Sequence, residues 1–239
     1  MAEKKKYLGE IDEGILWAEQ SLELPQFWID KRRVSLDKQR CSREADYYYL
    51  VSVEKHSGSN KLEPYWVIEF YNTYRDDPPD PFGNYLVRWH DFLVVANRWC
   101  LHGVDLRTFE TRRYPEYKDY YVDQYYDLRN GEAKVVKYDV PEWAGTKNDL
   151  GWFDHFHQID GYLLVTDETD IYCFDKNFTP VWKTGMYVGH EGVSIIGHNK
   201  GLLEVRGEDE SCGHYFLSTV DIKTGDVDIK EYIKYNTEE

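Results

Sequence analysis

The chain has only four cysteines among 239 residues. Cys41, Cys100, Cys173 and Cys212 are far apart and form no CxxC pair, which argues against a zinc ribbon, a thioredoxin-type motif or a dense disulfide framework. A chain of this length buries enough apolar surface to hold a core without such staples, so reduced, buried thiols are expected. No stretch approaches the length of a membrane-spanning helix, and the charged segment Met1 to Glu10 is followed by no apolar core of signal-peptide length. The expected compartment is therefore the cytoplasm. Nucleophile motifs are missing too: there is no GxSxG, no P-loop, no GxGxxG opening a helix and no cysteine with a local activating signature. That weighs against an enzyme, although Cys100 or Cys212 paired with a histidine from a distant strand would leave no local trace.

Positive charge is also scarce. Lys and Arg number 29 against 44 Asp and Glu, a formal net charge of -15. Most of the imbalance lies in the second half of the chain. Such a field repels phosphate backbones and anionic lipid, so neither nucleic acid nor a membrane is an expected partner, whereas a basic protein surface would be attracted. The plainer reading is that acidity keeps the protein soluble.

Aromatic residues are plentiful, at 16% with 21 Tyr and 8 Trp, and they recur in short runs with Val, Ile and Leu. That composition favours strands. Tyr47 to Val53, Tyr65 to Tyr71, Tyr85 to Asn97, Tyr120 to Leu128, Ala133 to Val140, Gly161 to Thr166 and Tyr215 to Ile222 read as strands, separated by Gly, Asn, Asp and Pro turn signals. One helix is expected, capped at Asp12 or Glu13, carrying Ile15, Leu16, Ala18, Glu19 and Leu22 and ending before Pro25. Phe27-Trp28-Ile29 would alternatively begin a strand. Nothing resembles an interdomain linker, so residues 1–239 are expected to form a single all-β domain, with 1–45 a less regular segment.

Self-comparison adds a repeat. Asp91 to Tyr114 (DFLVVANRWCLHGVDLRTFETRRY) lies over Gly161 to Thr184 (GYLLVTDETDIYCFDKNFTPVWKT) without a gap, and the apolar pattern matches throughout. A third copy starts at Gly201 (GLLEVRG) and resumes at His214 to Asp221. Each copy reads strand, turn, strand, turn, strand. Asp105, Asp175 and Asp221 end matching strands, and an Asp there accepts backbone N–H bonds from the turn that follows; Asp127 to Gly131 repeats that chemistry. Over about residues 82–235 these units resemble the blades of β-propeller repeat proteins of the quinoprotein-like or WD40-like kind. The resemblance implies a small propeller of four or five blades, degenerate at the N-terminus, closed by Val227 to Tyr235 pairing beside an early strand. An irregular β-sandwich is the alternative.

Three sets of residues are candidates for function. His155 and His157 in Asp154-His155-Phe156-His157 would face one side of a strand and could share a divalent metal if His190, His198 or Asp160 supplied a third ligand; the simpler reading is histidines beside an aromatic core, with no cofactor. Asp76, Asp77 and Asp80, stiffened by the intervening prolines, and Glu208, Asp209 and Glu210 are acidic loop residues suited to Lys or Arg on a partner, or merely solvated. The expected function is that of a non-catalytic interaction protein with an acidic binding surface, in its specific form a cytoplasmic inhibitor or immunity-type protein for a basic toxin or nucleic-acid enzyme. The alternatives are a metal-dependent or small-molecule enzyme with its site at a propeller mouth, and a carbohydrate-binding protein whose tyrosines and tryptophans stack on sugar rings.

Overall fold

A computed structural model describes residues 5–36, 47–56, 61–70, 85–97, 100–114, 120–127, 132–139, 153–184, 192–209 and 214–234. The described residues are almost entirely strand, as the aromatic and β-branched composition dictates. The chain divides into two compact units, Met1–Pro81 with Arg112–Asp149 and Phe82–Thr111 with Leu150–Glu239.

The first unit begins with β1 (Lys6–Ile11), β2 (Gly14–Ser21), a single 3-10 turn at Gln26–Trp28, β3 (Arg32–Leu36), β4 (Tyr47–Lys55) and β5 (Leu62–Phe70). These strands form one sheet in the order β1-β2-β4-β5-β3, with β3 parallel to β5. The expected helix before Pro25 is absent, because its residues form β2. Gly14, Leu16 and Ala18 are buried and Ile15, Trp17 and Glu19 are half-buried, so burial alternates with period two, not with the helical period. Gly14 makes the tight entry possible: a Cβ there would run into the Glu54 carbonyl of the neighbouring β4. Phe27-Trp28-Ile29 begins no strand either. Its 3-10 turn drops Trp28 into a core of Leu50 and Val67, with Leu24 and Tyr48 packed beside it. Glu69 is buried on β5 and is held by Arg33 Nη1 at 3.0 Å and Ser35 Oγ at 2.7 Å, which ties the parallel strand β3 to its neighbour.

The second unit opens with β6 (Leu86–Trp89), β7 (Phe92–Asn97) and β8 (Cys100–Asp105), and β9 (Thr111–Tyr114) starts where the chain passes back to the first unit. The single strand expected from Tyr85 to Asn97 is thus two strands folded back at His90-Asp91, where His90 takes a φ of 51°. No Gly or Pro marks that turn, so the sequence hides it. After β10 (Tyr120–Asp127) and β11 (Glu132–Asp139), an antiparallel hairpin of the first unit, come β12 (His155–Ile159), β13 (Tyr162–Thr166), β14 (Ile171–Phe174) and β15 (Pro180–Lys183), then β16 (Val193–Asn199), β17 (Leu202–Asp209), β18 (His214–Asp221) and β19 (Val227–Lys234). Each later group of four is an antiparallel sheet in sequence order. Among the described residues β19 pairs with β18 at a sheet edge, not beside an early strand as the closure argument expects. Asp160-Gly161 and Lys200-Gly201 have positive φ at both residues, which is what a two-residue hairpin loop needs to match the strand twist.

The repeat read from the sequence is real in three dimensions. Val95 lies opposite Leu86 and His102, Val165 lies opposite Phe156 and Tyr172, and both valines are 0% exposed. His102 and Tyr172 occupy one position of the ungapped alignment, and Leu86 and Phe156, just upstream of it, keep the same spacing. The aspartates behave alike as well. Asp105 Oδ1 accepts from the N–H groups of Arg107 and Thr108 at 2.8 and 2.9 Å, Asp175 Oδ1 from Asn177 and Thr179 at 2.9 and 2.8 Å, and Asp221 Oδ1 from Lys223 and Thr224 at 2.8 and 3.1 Å. The Asp127 turn lies outside the described residues.

Neighbouring sheets of this unit bury their faces on each other. Leu164, Ile171 and Cys173 meet Val193, Leu203, Val205, Phe216, Val220 and Ile222 in one cluster, each side chain contributing on the order of 1.5–3 kcal/mol by its burial. Trp89 donates to the Asp175 carbonyl at 2.7 Å, and Trp182 to the Ile222 carbonyl at 2.9 Å, so each indole pins its sheet to the turn of the next. Cys100 and Cys173 are buried and in no disulfide, while Cys41 and Cys212 lie outside the described residues.

Candidate functional site

Burial separates the last sheet from the two before it. Leu93 to Ala96 on β7, Leu101 to Val104 on β8, Leu163 to Thr166 on β13 and Ile171 to Phe174 on β14 are all buried, so both faces of those strands are covered. On β17 and β18 the pattern alternates instead. Leu203, Val205 and Gly207, with Phe216, Ser218 and Val220, are buried against the neighbouring sheet, while the residues between them are half-buried or exposed. One face of this sheet is therefore core and the other is open.

Strand register sets out the open face in rows. Glu204 lies between Gly197 and Thr219, and Thr219 pairs onward with Asp228; Arg206 lies between Ser194 and Leu217, and Leu217 pairs with Glu231; Glu208 pairs with Tyr215, and Tyr215 with Ile233. Tyr215 and Leu217 form a partly covered apolar centre. Four carboxylates stand round it. The Arg206 guanidinium sits 4.6 Å from the Tyr215 ring centroid and its Nη2 is 3.0 Å from Glu208 Oε1, so the one cation of β17 is engaged by its own neighbours. Lys230 pairs with Asp228. No ion pair among the described residues takes Glu204 or Glu231. Ile196, the extra residue of the β16 bulge opposite Glu204, is 55% exposed and enlarges the apolar part of the surface.

Of the acidic residues singled out from the sequence, Glu208 lies on this face and Asp209 follows it at the end of β17. Asp76, Asp77, Asp80 and Glu210 lie outside the described residues. His155 and His157 do share a strand, with ring centroids 6.1 Å apart. His155 Nδ1, however, is 2.6 Å from Asp154 Oδ1, and His198 Nε2 is 2.9 Å from Asp160 Oδ2, so three of the possible ligands are already engaged, the last two with each other. His190 is outside the described residues. Burial pushes the His157 ring below its ordinary value, the charge of His155 adds to that, and Asp154 opposes it. Among the described residues, no three His, Cys, Asp or Glu side chains are gathered as a metal ion requires.

Two polar constellations were not read as groups from the sequence. Asp167, 1% exposed, accepts from the N–H groups of Thr169 and Asp170 at 2.8 and 2.7 Å and from the Tyr172 hydroxyl at 2.7 Å, while Asp170 Oδ2 lies 2.8 Å from Lys183 Nζ. That network orders the β13–β14 connection, and its signal is the Asp-Glu-Thr-Asp string, whose Asp-x-Thr is an ordinary turn signature. In the matching place on β8, Cys100 Sγ is 3.4 Å from His102 Nε2, with both side chains buried. A cysteine and a histidine two apart on a strand share a side, which is the trace that sequence reading left unused.

No protein-family model matches this chain, and no curated protein matches it. Among solved structures it is similar to a Saccharomyces cerevisiae structure of Dbp5 bound to Nup159, Gle1, IP6 and ADP, at 13% identity and a TM-score of 0.40. It is similar also to the N-terminal domain of Nup159, at 12% identity and a TM-score of 0.40. The matches cover 98% of this chain but 54% and 55% of those chains, so this chain spans about half their length. At that level of likeness no role passes from those structures to this one.

Proposed function

We infer that this chain is a protein-interaction module that holds a partner with a basic surface on the open face of the β16–β19 sheet. The observation that carries the reading is the alternation on β17 and β18, which leaves Tyr215 and Leu217 partly exposed inside a ring of Glu204, Glu208, Asp228 and Glu231. An aromatic and aliphatic centre with a charged rim is the composition of a protein-binding surface, and the excess of carboxylates would steer a cationic partner to it. The net charge of -15 supports the same sign of partner. Inhibition of a basic toxin or nucleic-acid enzyme in the cytoplasm is the specific form this function takes.

The test is capture by the full chain at rising salt, with wild type beside a Glu204→Lys/Glu231→Lys variant and a Leu217→Ala variant. A basic protein retained by wild type, released as screening increases and lost by both variants, is the expected result. Acidic partners, or retention that strengthens with salt, would overturn the reading.

A further inference from the structure

Resting on that reading, we propose that the partner is an extended segment of alternating apolar and basic residues that adds as a fifth strand to the outer edge of β19, which pairs only with β18 among the described residues. The outer strand of the neighbouring sheet, β15, is short, with four residues, and begins with Pro180. Those are the devices by which proteins close an edge to further pairing. The eight-residue strand β19 contains no proline, and residues 227 to 231 are all exposed. Its register with β18 divides its side chains between the two faces. Val227 pairs with Val220 and Ile229 with Ser218, on the face that is core further in, yet Val227 and Ile229 are 39% and 42% exposed because the core stops at the edge. Asp228 pairs with Thr219 and Glu231 with Leu217, on the open acidic face.

A strand laid beside β19 would set its own residues next to these on both faces, about 4.5–5.5 Å away. Apolar residues of the incoming strand would cover Val227 and Ile229, and basic residues would meet Asp228 and Glu231. Main-chain hydrogen bonds supply the affinity in this mode and the alternating side chains supply the selectivity. The bulge at Lys230, between the residues facing Ser218 and Leu217, fixes where the pairing must begin or break.

The probe is a capped octapeptide alternating lysine and valine, titrated into the full chain and followed by fluorescence anisotropy, with hydrogen exchange of the β19 amides as the second readout. Three comparisons accompany it: the same peptide N-methylated at alternate residues, a peptide of four lysines followed by four valines, and an Asp228→Lys/Glu231→Lys protein. Binding of the alternating peptide, added protection on β19, and a loss of about tenfold or more in all three comparisons is the expected result. Equal binding of the N-methylated or block peptide would overturn strand addition and leave the acidic surface standing. No binding of any peptide, with a basic protein still captured by the sheet face, would overturn it equally. Concentration-dependent dimers in light scattering that lose their β19 protection on dilution would assign the edge to a second copy of this chain instead.

Discussion

Gly103 on β8 and Phe178 in the turn after β14 share one volume: a Cβ on the glycine would lie 2.8 Å from the ring's Cε1. Phe178 stacks on Phe174 at 4.8 Å and 14°, with Phe92 6.2 Å away, so the ring has no room to retreat. At the next sheet interface the sizes are exchanged. Gly225 stands in the turn after β18, and a Cβ there would lie 2.7 Å from Cδ2 of Trp182 on β15. Both interfaces meet the same close-packing demand, one with a large residue in the turn and the other with a large residue on the strand.

Gly103→Ala should therefore destabilise the protein by about 1–3 kcal/mol through overpacking. Phe178→Ala should cost about 3–5 kcal/mol by opening a cavity. The pair should be non-additive, the double variant being more stable than the sum of the singles implies, because the alanine methyl then has space. Urea unfolding of the four proteins measures the coupling, and strict additivity would show that the two residues do not share the site.

Much of this arrangement was legible. The ungapped match of Asp91 to Tyr114 with Gly161 to Thr184 fixed the register of two sheets, because period-two pleating lets an apolar pattern choose one register only. What the match concealed is where the third copy differs. Laying Leu202 to Arg206 over Tyr162 to Thr166 places Glu204 on Leu164 and Arg206 on Thr166, both 0% exposed in the earlier sheet. Charged residues at both places on one side of a strand announce an open face, and the alternation in GLLEVRG and HYFLSTVD states it directly. The helix expected before Pro25 failed for another reason: Ile15, Leu16, Ala18 and Leu22 fit a helical stripe, but tertiary pairing of β2 between β1 and β4 decided their structure.

The three matched aspartates give a graded test. Replacing Asp105, Asp175 or Asp221 by Ala removes two turn hydrogen bonds in each case and should cost about 1 kcal/mol, since all three turns are near the surface. Asp105 also predicts a pH effect. Burial raises its carboxyl, but the N–H groups of Thr108 and Arg107 and the Arg107 charge outweigh that and hold it below the ordinary carboxylate value. The folded form thus prefers the carboxylate more than the unfolded chain does. Its contribution is present above about pH 4 and is lost as pH falls through the lower folded value. Asp105→Asn should flatten that part of a stability–pH curve, measured by urea midpoints from pH 5 downward.

Cys173 has the opposite sign. Burial pushes its thiol up to about 12, and the nearby Asp175 charge adds to the rise. The native thiol should resist alkylation at pH 8, as should the buried Cys100, until urea unfolds the chain. Mass spectrometry of the cysteine peptides reads this directly, and rapid native labelling of Cys173 would contradict the packing. Above about pH 8.5, where the unfolded thiol ionises and the folded one does not, stability should decline. Cys173→Ala should lack that decline.

His157 should make the protein less stable in mild acid. Its ring is half-buried beside His155, and the cost of burying a cation, together with that neighbour's charge, keeps its proton affinity below that of a free histidine despite Asp154. The unfolded chain then binds a proton that the folded chain resists. Stability is full above about pH 6.5 and falls as pH drops through that value towards the lower folded one. His157→Gln keeps a similar volume without titrating. Thermal midpoints of wild type should fall between pH 7.5 and 5 by more than those of the variant, and parallel curves would mean that the ring is solvated in the folded protein.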